Sequence, residues 1–190
     1  MKNIFIFVLI LVFFQTSYAV VADMNLGLIQ GGLSRATDQN IGRSINSLGI
    51  FANLGKTDAS TGYLLGWYMS SVKSTDSFAG VIEQTLNSGD MGPAFRWQTT
   101  ARQTFSFTYA YGIISKGNFS DGSVTEEING ESHLLKFAIE SNVSDRFLVG
   151  LALNLYTANY KTSLVNSVQS SVGYKNNWTY PSLSVSFRNF

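Results

Sequence analysis

Large apolar residues alternate with small or polar ones along most of the chain after its first twenty residues. From Phe105 to Ile113, every odd position is large and apolar or aromatic, and every even position is small or polar. The segments 63–69, 147–155 and 183–187 repeat this alternation. Because successive side chains of a β-strand point to opposite faces, a period of two predicts strands with one apolar face and one small or polar face.

The pattern predicts an all-β chain of eight strands. Short spacers with turn-forming residues alternate along the chain with long spacers rich in Ser, Asn, Gly and Asp. This order is typical of an eight-stranded antiparallel up-and-down transmembrane β-barrel, with turns at one end and loops at the other. The strands are expected at 25–34, 47–56, 61–73, 94–101, 103–115, 132–142, 146–158 and 179–190, and the four long loops at 35–46, 74–93, 116–131 and 159–178.

Residues 1–19 have the organisation of a secretory signal peptide. A lysine at the second position is followed by an unbroken apolar run at 4–14, and small residues precede a cleavage point after Ala19. Cleavage after Ala22 also satisfies the small-residue rule. The alternative is a membrane-spanning helix, but the run is shorter than the roughly 18–20 residues that a span requires. We therefore expect export through the Sec pathway, removal of this segment, and a barrel domain at 20–190.

Composition excludes several classes of function. The chain has no cysteine, which excludes disulfides, thiolate metal sites, a cysteine nucleophile and a lipid-anchored cysteine. Its 13 Lys and Arg residues, less Lys2 of the signal peptide, leave 12 basic residues against 12 acidic ones. A mature net charge of zero gives no basic surface for nucleic acid. The single histidine excludes a site built from two imidazoles, and no cofactor motif is present.

The alternation fits two kinds of barrel. In a soluble periplasmic barrel the large apolar face points inward and encloses a ligand, whereas in an outer-membrane barrel it meets lipid. The alternate face is mostly Gly, Ala, Ser and Thr, which favours the membrane barrel. Aromatic residues near strand ends also favour it, since they would form girdles at the membrane interfaces: Tyr63, Tyr109, Tyr111, Tyr156, Tyr160, Trp178 and Tyr180.

The C-terminal segment has an apolar residue at alternate positions, Leu183, Val185 and Phe187, and ends on the aromatic Phe190. In architecture the whole mature chain resembles the small eight-stranded outer-membrane barrels, such as the OmpA membrane domain and OmpX. The resemblance implies that these four residues form the assembly signal read by the barrel-assembly machinery. Because Phe190 is out of phase with the other three, either a bulge at 188–189 restores the phase or Phe190 lies outside the ladder.

The same resemblance implies a location and a set of roles. It places the chain in the bacterial outer membrane, in contact with outer-membrane lipids and lipopolysaccharide. The expected function is non-enzymatic: a structural, adhesion or surface-recognition role carried by the four long loops, with a surface ligand or a host, prey or other cell as the partner. The alternative is a narrow or gated porin-like channel.

Six polar residues share the face opposite the large apolar one and are therefore expected inside the barrel. Charges in a narrow lumen must pair or meet water, so Glu140 is expected to pair with Lys136, Arg96 or Arg188. The cluster is interpreted as a structural polar plug, with a narrow ion path as the alternative. Its members are Arg96, Gln98, Lys136, Glu140, Asn154 and Arg188.

Three other segments carry candidate chemistry. His133 beside Ser132 suggests a lipid-modifying enzyme, but adjacent strand residues point to opposite faces, so we expect a lone interfacial histidine and no catalytic site. Four acids in 121–131 suggest weak calcium binding, but they lack the spacing of an EF-hand loop, so no metal site is expected. In the second long loop, 79–86 is a candidate for a short helix, for a segment folded against the barrel mouth, or for a partner-binding surface.

Overall fold

The computed structural model describes 20–27, 30–34, 39–53, 61–78, 81–99 and 103–189. Within these ranges the chain forms β-strands only, and no helix there is long and apolar enough to cross a membrane. The strands are β1 (Val20–Gly27), β2 (Gln30–Ser34), β3 (Gln39–Asn53), β4 (Thr61–Phe78), β5 (Val81–Thr99), β6 (Gln103–Ser120), β7 (Thr125–Asn142), β8 (Phe147–Val165) and β9 (Val168–Asn189).

Every strand pairs antiparallel with its neighbours, and the sheet closes on itself. β1 and β2 both pair with β3, so they are two parts of one barrel strand. β1 also pairs with β9, from Val20 opposite Asn189 to Gly27 opposite Ser182. This pairing closes a ring and confirms the prediction of an eight-stranded antiparallel up-and-down barrel.

The strands are longer than the sequence pattern predicts. Strands occupy most of the four segments expected to be long loops, and between β6 and β9 the connections on that side are only 121–124 and 166–167. Of the alternatives for 79–86, the short helix is excluded for the described residues, because β5 begins at Val81. In these segments both strand faces carry polar residues. The apolar alternation therefore disappears, while backbone pairing, which needs no apolar side chains, continues.

The hairpin ends are held by tight turns. Asn166 and Ser167 connect β8 to β9 with positive φ angles of 48° and 66°, as a two-residue type I′ hairpin turn requires. Between β6 and β7, a carboxylate oxygen of Asp121 accepts hydrogen bonds from the backbone N–H groups of Ser123 and Val124, at 3.1 and 2.9 Å. Gly122 occupies the left-handed region there, with a φ of 87°.

The outer face of the barrel carries a continuous apolar band. On β8, every outward residue from Phe147 to Leu155 is apolar and exposed, and the next outward residues are Thr157, Asn159 and Lys161. A nine-residue stretch covers about 27 Å along a strand, or roughly 21 Å along the barrel axis at a tilt of about 40°. That height is close to the apolar band of about 25 Å in transmembrane barrels.

The lumen holds the polar and charged side chains. The outward residues are mostly large and apolar, whereas Asp, Glu, Lys, Arg and Ser residues are buried in the lumen together with a smaller set of apolar side chains such as Phe51 and Leu64. Charges inside and an apolar outer face are the arrangement of a membrane barrel and the opposite of a soluble one. Four of the seven predicted girdle aromatics also face inward. Tyr156, Tyr160, Trp178 and Tyr180 are buried in the lumen, because they lie on the even-numbered face that points inward in β8 and β9.

Candidate functional site

All six residues expected inside the barrel are buried there, with 0–4% of their surface exposed. The structure brings Arg96 and Glu140 together, with Nη2 of the arginine 2.9 Å from Oε2 of the glutamate. Gln98 accepts a hydrogen bond from Nε of Arg96 at 3.0 Å. Arg188 donates a hydrogen bond to the Thr104 hydroxyl at 2.6 Å.

Asp23 completes this cluster and was missed in the sequence. Its carboxylate accepts two hydrogen bonds from Nζ of Lys136, at 2.7 and 2.8 Å, and one from Arg96. The sequence pattern placed the start of the first strand at position 25, two residues too late to include it. The alternation of polar Asp23 and Asn25 with apolar Met24 and Leu26 is the signal that predicts an inward carboxylate.

The cluster is electrically balanced and links distant strands. Asp23 on β1, Arg96 on β5, and Lys136 and Glu140 on β7 contribute two negative and two positive charges. Hydroxyl groups of Ser184 and Ser186 on β9 donate to Glu140, each at 2.7 Å. We call these six residues the ionic layer. It crosses the lumen at the end nearer the short turns and satisfies every charge that it buries.

A second polar layer lies on the other side of the lumen's midpoint. The buried carboxylate of Asp90 accepts hydrogen bonds from the hydroxyls of Ser70 at 2.7 Å, Ser115 at 2.5 Å and Tyr156 at 2.8 Å. Tyr156 reaches Asp90 from β8, across the lumen from β5. Asp90 was missed in the sequence because it lies in a segment that was expected to be a loop.

Between the layers the lumen is filled by smaller polar contacts. Asn154 donates to the Ser182 hydroxyl at 2.7 Å and to the Tyr180 carbonyl at 3.3 Å. Asn25 on β1 donates to Ser47 on β3 at 3.2 Å. The polar contacts therefore continue from the ionic layer to Asp90.

His133 lies on the outer face, at the edge of the apolar band. Its Nδ1 is 2.9 Å from the hydroxyl oxygen of Tyr109, and its ring stacks on Tyr111 with centroids 5.0 Å apart. Ser132 points the other way, into the lumen, where its hydroxyl lies 3.0 Å from that of Tyr68. The two residues therefore form no nucleophile and base pair.

The acids of 121–131 are dispersed over separate contacts. Glu126 accepts a hydrogen bond from the Tyr174 hydroxyl at 2.9 Å. Asp121 accepts hydrogen bonds within the β6–β7 turn. Glu131 accepts from Lys161 at 2.7 Å, and this ammonium group holds the pKa of the Glu131 carboxyl below its usual range. In the part of the chain that the structure describes, no three His, Asp or Glu residues group as metal ligands.

Three of the four residues expected to form a C-terminal assembly signal lie where the alternation places them. Leu183, Val185 and Phe187 face outward in β9, and Arg188 faces inward. The pairing of β9 with β1 continues without a register shift to Asn189, so the suggested bulge is absent from the described part of the strand. Phe190 lies outside the described residues.

A cavity of about 400 Å³ opens at the end of the barrel opposite the short turns. We call it the vestibule. Its floor includes Tyr160, whose hydroxyl donates to Ser88 at 2.9 Å just beyond the Asp90 layer. Its walls come from β3 to β9 and combine aromatic, amide and charged side chains. They include Arg43, Ser74, Asp76, Gln84, Leu86, Phe119, Ile128, Tyr174, Lys175, Asn176 and Trp178.

These features together define an eight-stranded barrel with an apolar outer band and a filled polar lumen. No protein-family model matches the sequence, and no curated protein matches it. Among solved structures, the chain is similar to a major outer membrane protein from Thermus thermophilus, at 12% identity and a TM-score of 0.47, over 91% of this chain and 100% of that one. It is also similar to the outer membrane protein OprG from Pseudomonas aeruginosa, at 11% identity and a TM-score of 0.41, over 90% and 95% of the two chains.

Proposed function

We propose that the chain is an integral barrel of the bacterial outer membrane, with a non-enzymatic role in recognition at the cell surface. One observation carries the proposal. The barrel has an apolar band outside and a set of buried charges inside, in a lumen closed by the ionic layer. A barrel of this kind needs a lipid bilayer or a detergent micelle around it, because its outer band would otherwise be exposed to water.

The filled lumen favours recognition over transport. Arg96 and Lys136 are bound by carboxylates, and Asp90 is enclosed by hydroxyls, so an ion crossing the barrel would have to displace both layers. Eight strands leave an interior only wide enough for side chains. Bulk diffusion of solutes through the barrel is therefore not its function.

The hairpin ends supply the surface for recognition. Beyond the apolar band, the outward residues include polar ones, such as Asn159 and Lys161 on β8, and exposed apolar ones near the turns, such as Val124 and Val168. The strands remain paired through this region and form the walls of the vestibule. Outer-membrane lipids, lipopolysaccharide and the barrel-assembly machinery are the remaining partners in this proposal.

Cysteine labelling tests the location and the orientation, because the native chain has no cysteine. Ser167→Cys lies in the β8–β9 turn, and Ser144→Cys lies in the short turn at the other end, within 143–146. In intact cells a membrane-impermeant maleimide should label the first variant only, and both after the outer membrane is permeabilised. Labelling of neither in the membrane fraction, or of Ser144→Cys alone in intact cells, would refute the proposed arrangement.

Electrical recording tests the absence of a pore. In planar bilayers the purified chain should show no sustained ohmic conductance. A stable open channel at low voltage would replace recognition with transport as the function.

A further inference from the structure

Arg43 lies in the wall of the vestibule, and its guanidinium has hydrogen-bonding capacity that no described residue uses. The guanidinium carbon of Arg43 lies 5.0 Å from the ring centroid of Trp178, so the indole holds this side chain in the cavity wall. Nε of Arg43 is buried and has no hydrogen-bond partner among the residues that the structure describes. A buried donor without a partner is costly, and a guanidinium donates preferentially to a carboxylate through its planar fork.

The other walls of the vestibule have the composition of a site for a sugar ring. Phe119 and Tyr174 pack with ring centroids 5.6 Å apart, and Trp178 and Tyr160 add further aromatic surface. Ser74, Gln84 and Asn176 supply hydroxyl and amide groups on the same cavity. A sugar ring presents apolar C–H faces and a hydroxyl rim, which match aromatic surface and polar side chains respectively. The volume of about 400 Å³ lies within the range of about 300–1,000 Å³ typical of sites for small ligands.

The acidic residue of the vestibule limits the charge of the ligand. Asp76 lies in the same wall as Ser74, and the charged residues of the lining are this aspartate, Arg43 and Lys175. A polyanion would bring some of its charge close to Asp76, whereas a ligand with one acidic group can direct it to Arg43 and away from that carboxylate. The same argument disfavours an acyl chain, which would leave the polar side chains of the walls without partners.

We infer that the vestibule binds an acidic saccharide: one or two sugar rings carrying a single carboxylate, which Arg43 recognises. This inference rests on the proposed function, because the ligand must reach the vestibule from the cell surface. It adds a ligand class and a specificity-determining residue to that function.

Titration of the purified, folded chain in detergent micelles tests the inference. The probe is D-glucuronic acid, and glucose is the matched neutral sugar. Binding is followed by the NMR signal of the Trp178 indole N–H, assigned with Trp178→Phe. Glucuronate should bind at least tenfold more tightly than glucose. Equal affinity for the two sugars, tighter binding of benzoate than of glucuronate, or no binding of glucuronate would each overturn the inference.

Variants locate the binding to Arg43. Arg43→Gln should weaken glucuronate binding about tenfold or more. Arg43→Lys keeps the charge but loses the planar fork, so its affinity for glucuronate should lie between those of Arg43→Gln and the native chain. Arg146→Gln is the matched control, because Arg146 is exposed in the turn at the opposite end of the barrel. Unchanged binding in Arg43→Gln would overturn the role of this residue.

Two controls separate the possible failures. Heat-modifiable mobility on a denaturing gel verifies that each variant is a folded barrel before it is titrated. If Ser167→Cys is labelled in intact cells but glucuronate does not bind, the ligand class is wrong and the surface barrel stands. If Ser167→Cys is not labelled, the proposed function itself fails.

Discussion

Arg96 donates hydrogen bonds to both Asp23 and Glu140, so one guanidinium joins the strands β1, β5 and β7 across the lumen. β1 is the strand that closes the ring, through its pairing with β9. The ionic layer therefore binds β1 through side-chain contacts inside the barrel, in addition to the backbone hydrogen bonds between β1 and β9. Because each charge is buried and paired, the removal of one partner leaves another without compensation.

Glu140→Gln should strongly destabilise the barrel. The change removes one of the two carboxylates that bind Arg96 and leaves the ionic layer with excess positive charge in a buried site. Loss of one partner of a buried ion pair costs about 3–5 kcal/mol. The midpoint of urea unfolding, measured on barrels folded in phospholipid vesicles, should fall accordingly. Glu127→Gln, at an exposed position of the same strand, should leave it unchanged; equal midpoints for both variants would contradict the paired cluster.

Tyr156→Phe should destabilise the barrel by a smaller amount. It removes the hydroxyl that donates to Asp90 at 2.8 Å and preserves the aromatic ring. Hydrogen bonds to a charged group contribute about 1.5–3 kcal/mol, so the unfolding free energy in vesicles should decrease within that range. Tyr63→Phe is the control, since Tyr63 is 65% exposed on the outer face. If both variants unfold at the same urea concentration, the Asp90 layer has no role in stability.

The parts of the barrel that face lipid were the most predictable from the sequence. The alternation in 147–155 predicts β8 because lipid demands an apolar residue at every outward position of the band. Outside the band, outward positions can be polar, and the apolar alternation is lost. The segment that contains Asp90 was therefore predicted to be a loop. The phase of an alternation also decides orientation: Tyr156 was predicted at a girdle because it is aromatic, although its even number places it in the lumen.

The composition of the candidate sites was less predictable than the strands. Inward residues of the ionic layer followed from strand phase, but their pairing did not, because it depends on which strands face each other across the lumen. Lys136 binds Asp23, a residue 113 positions away in the sequence. Arg43 and Trp178 meet in the vestibule for the same reason, as they lie on β3 and β9.

Ser167→Gly should stabilise the barrel. Ser167 has a φ of 66°, a conformation that glycine adopts without the steric cost that a Cβ imposes. We expect a gain of about 0.5–1 kcal/mol in the unfolding free energy, seen as a higher urea midpoint. Ser171→Gly, placed within the paired region of β9, should instead lower it, because glycine weakens a strand. A lower midpoint for Ser167→Gly would contradict the type I′ turn.

The β6–β7 turn should open only in strong acid. The backbone N–H of Val124, followed by the hydroxyl and N–H of Ser123, holds the pKa of Asp121 below the ordinary value of 3.8. A lowered pKa means that the ionised carboxylate stabilises the turn. This stabilisation is present in full above the ordinary aspartate pKa and is lost as the pH falls through the lowered one. The amide proton shifts of Ser123 and Val124, followed by NMR in micelles, should therefore titrate with a midpoint below 3.8, and this titration should be absent in Asp121→Asn. A midpoint at or above the ordinary value, or the same titration in Asp121→Asn, would show that another group controls the turn.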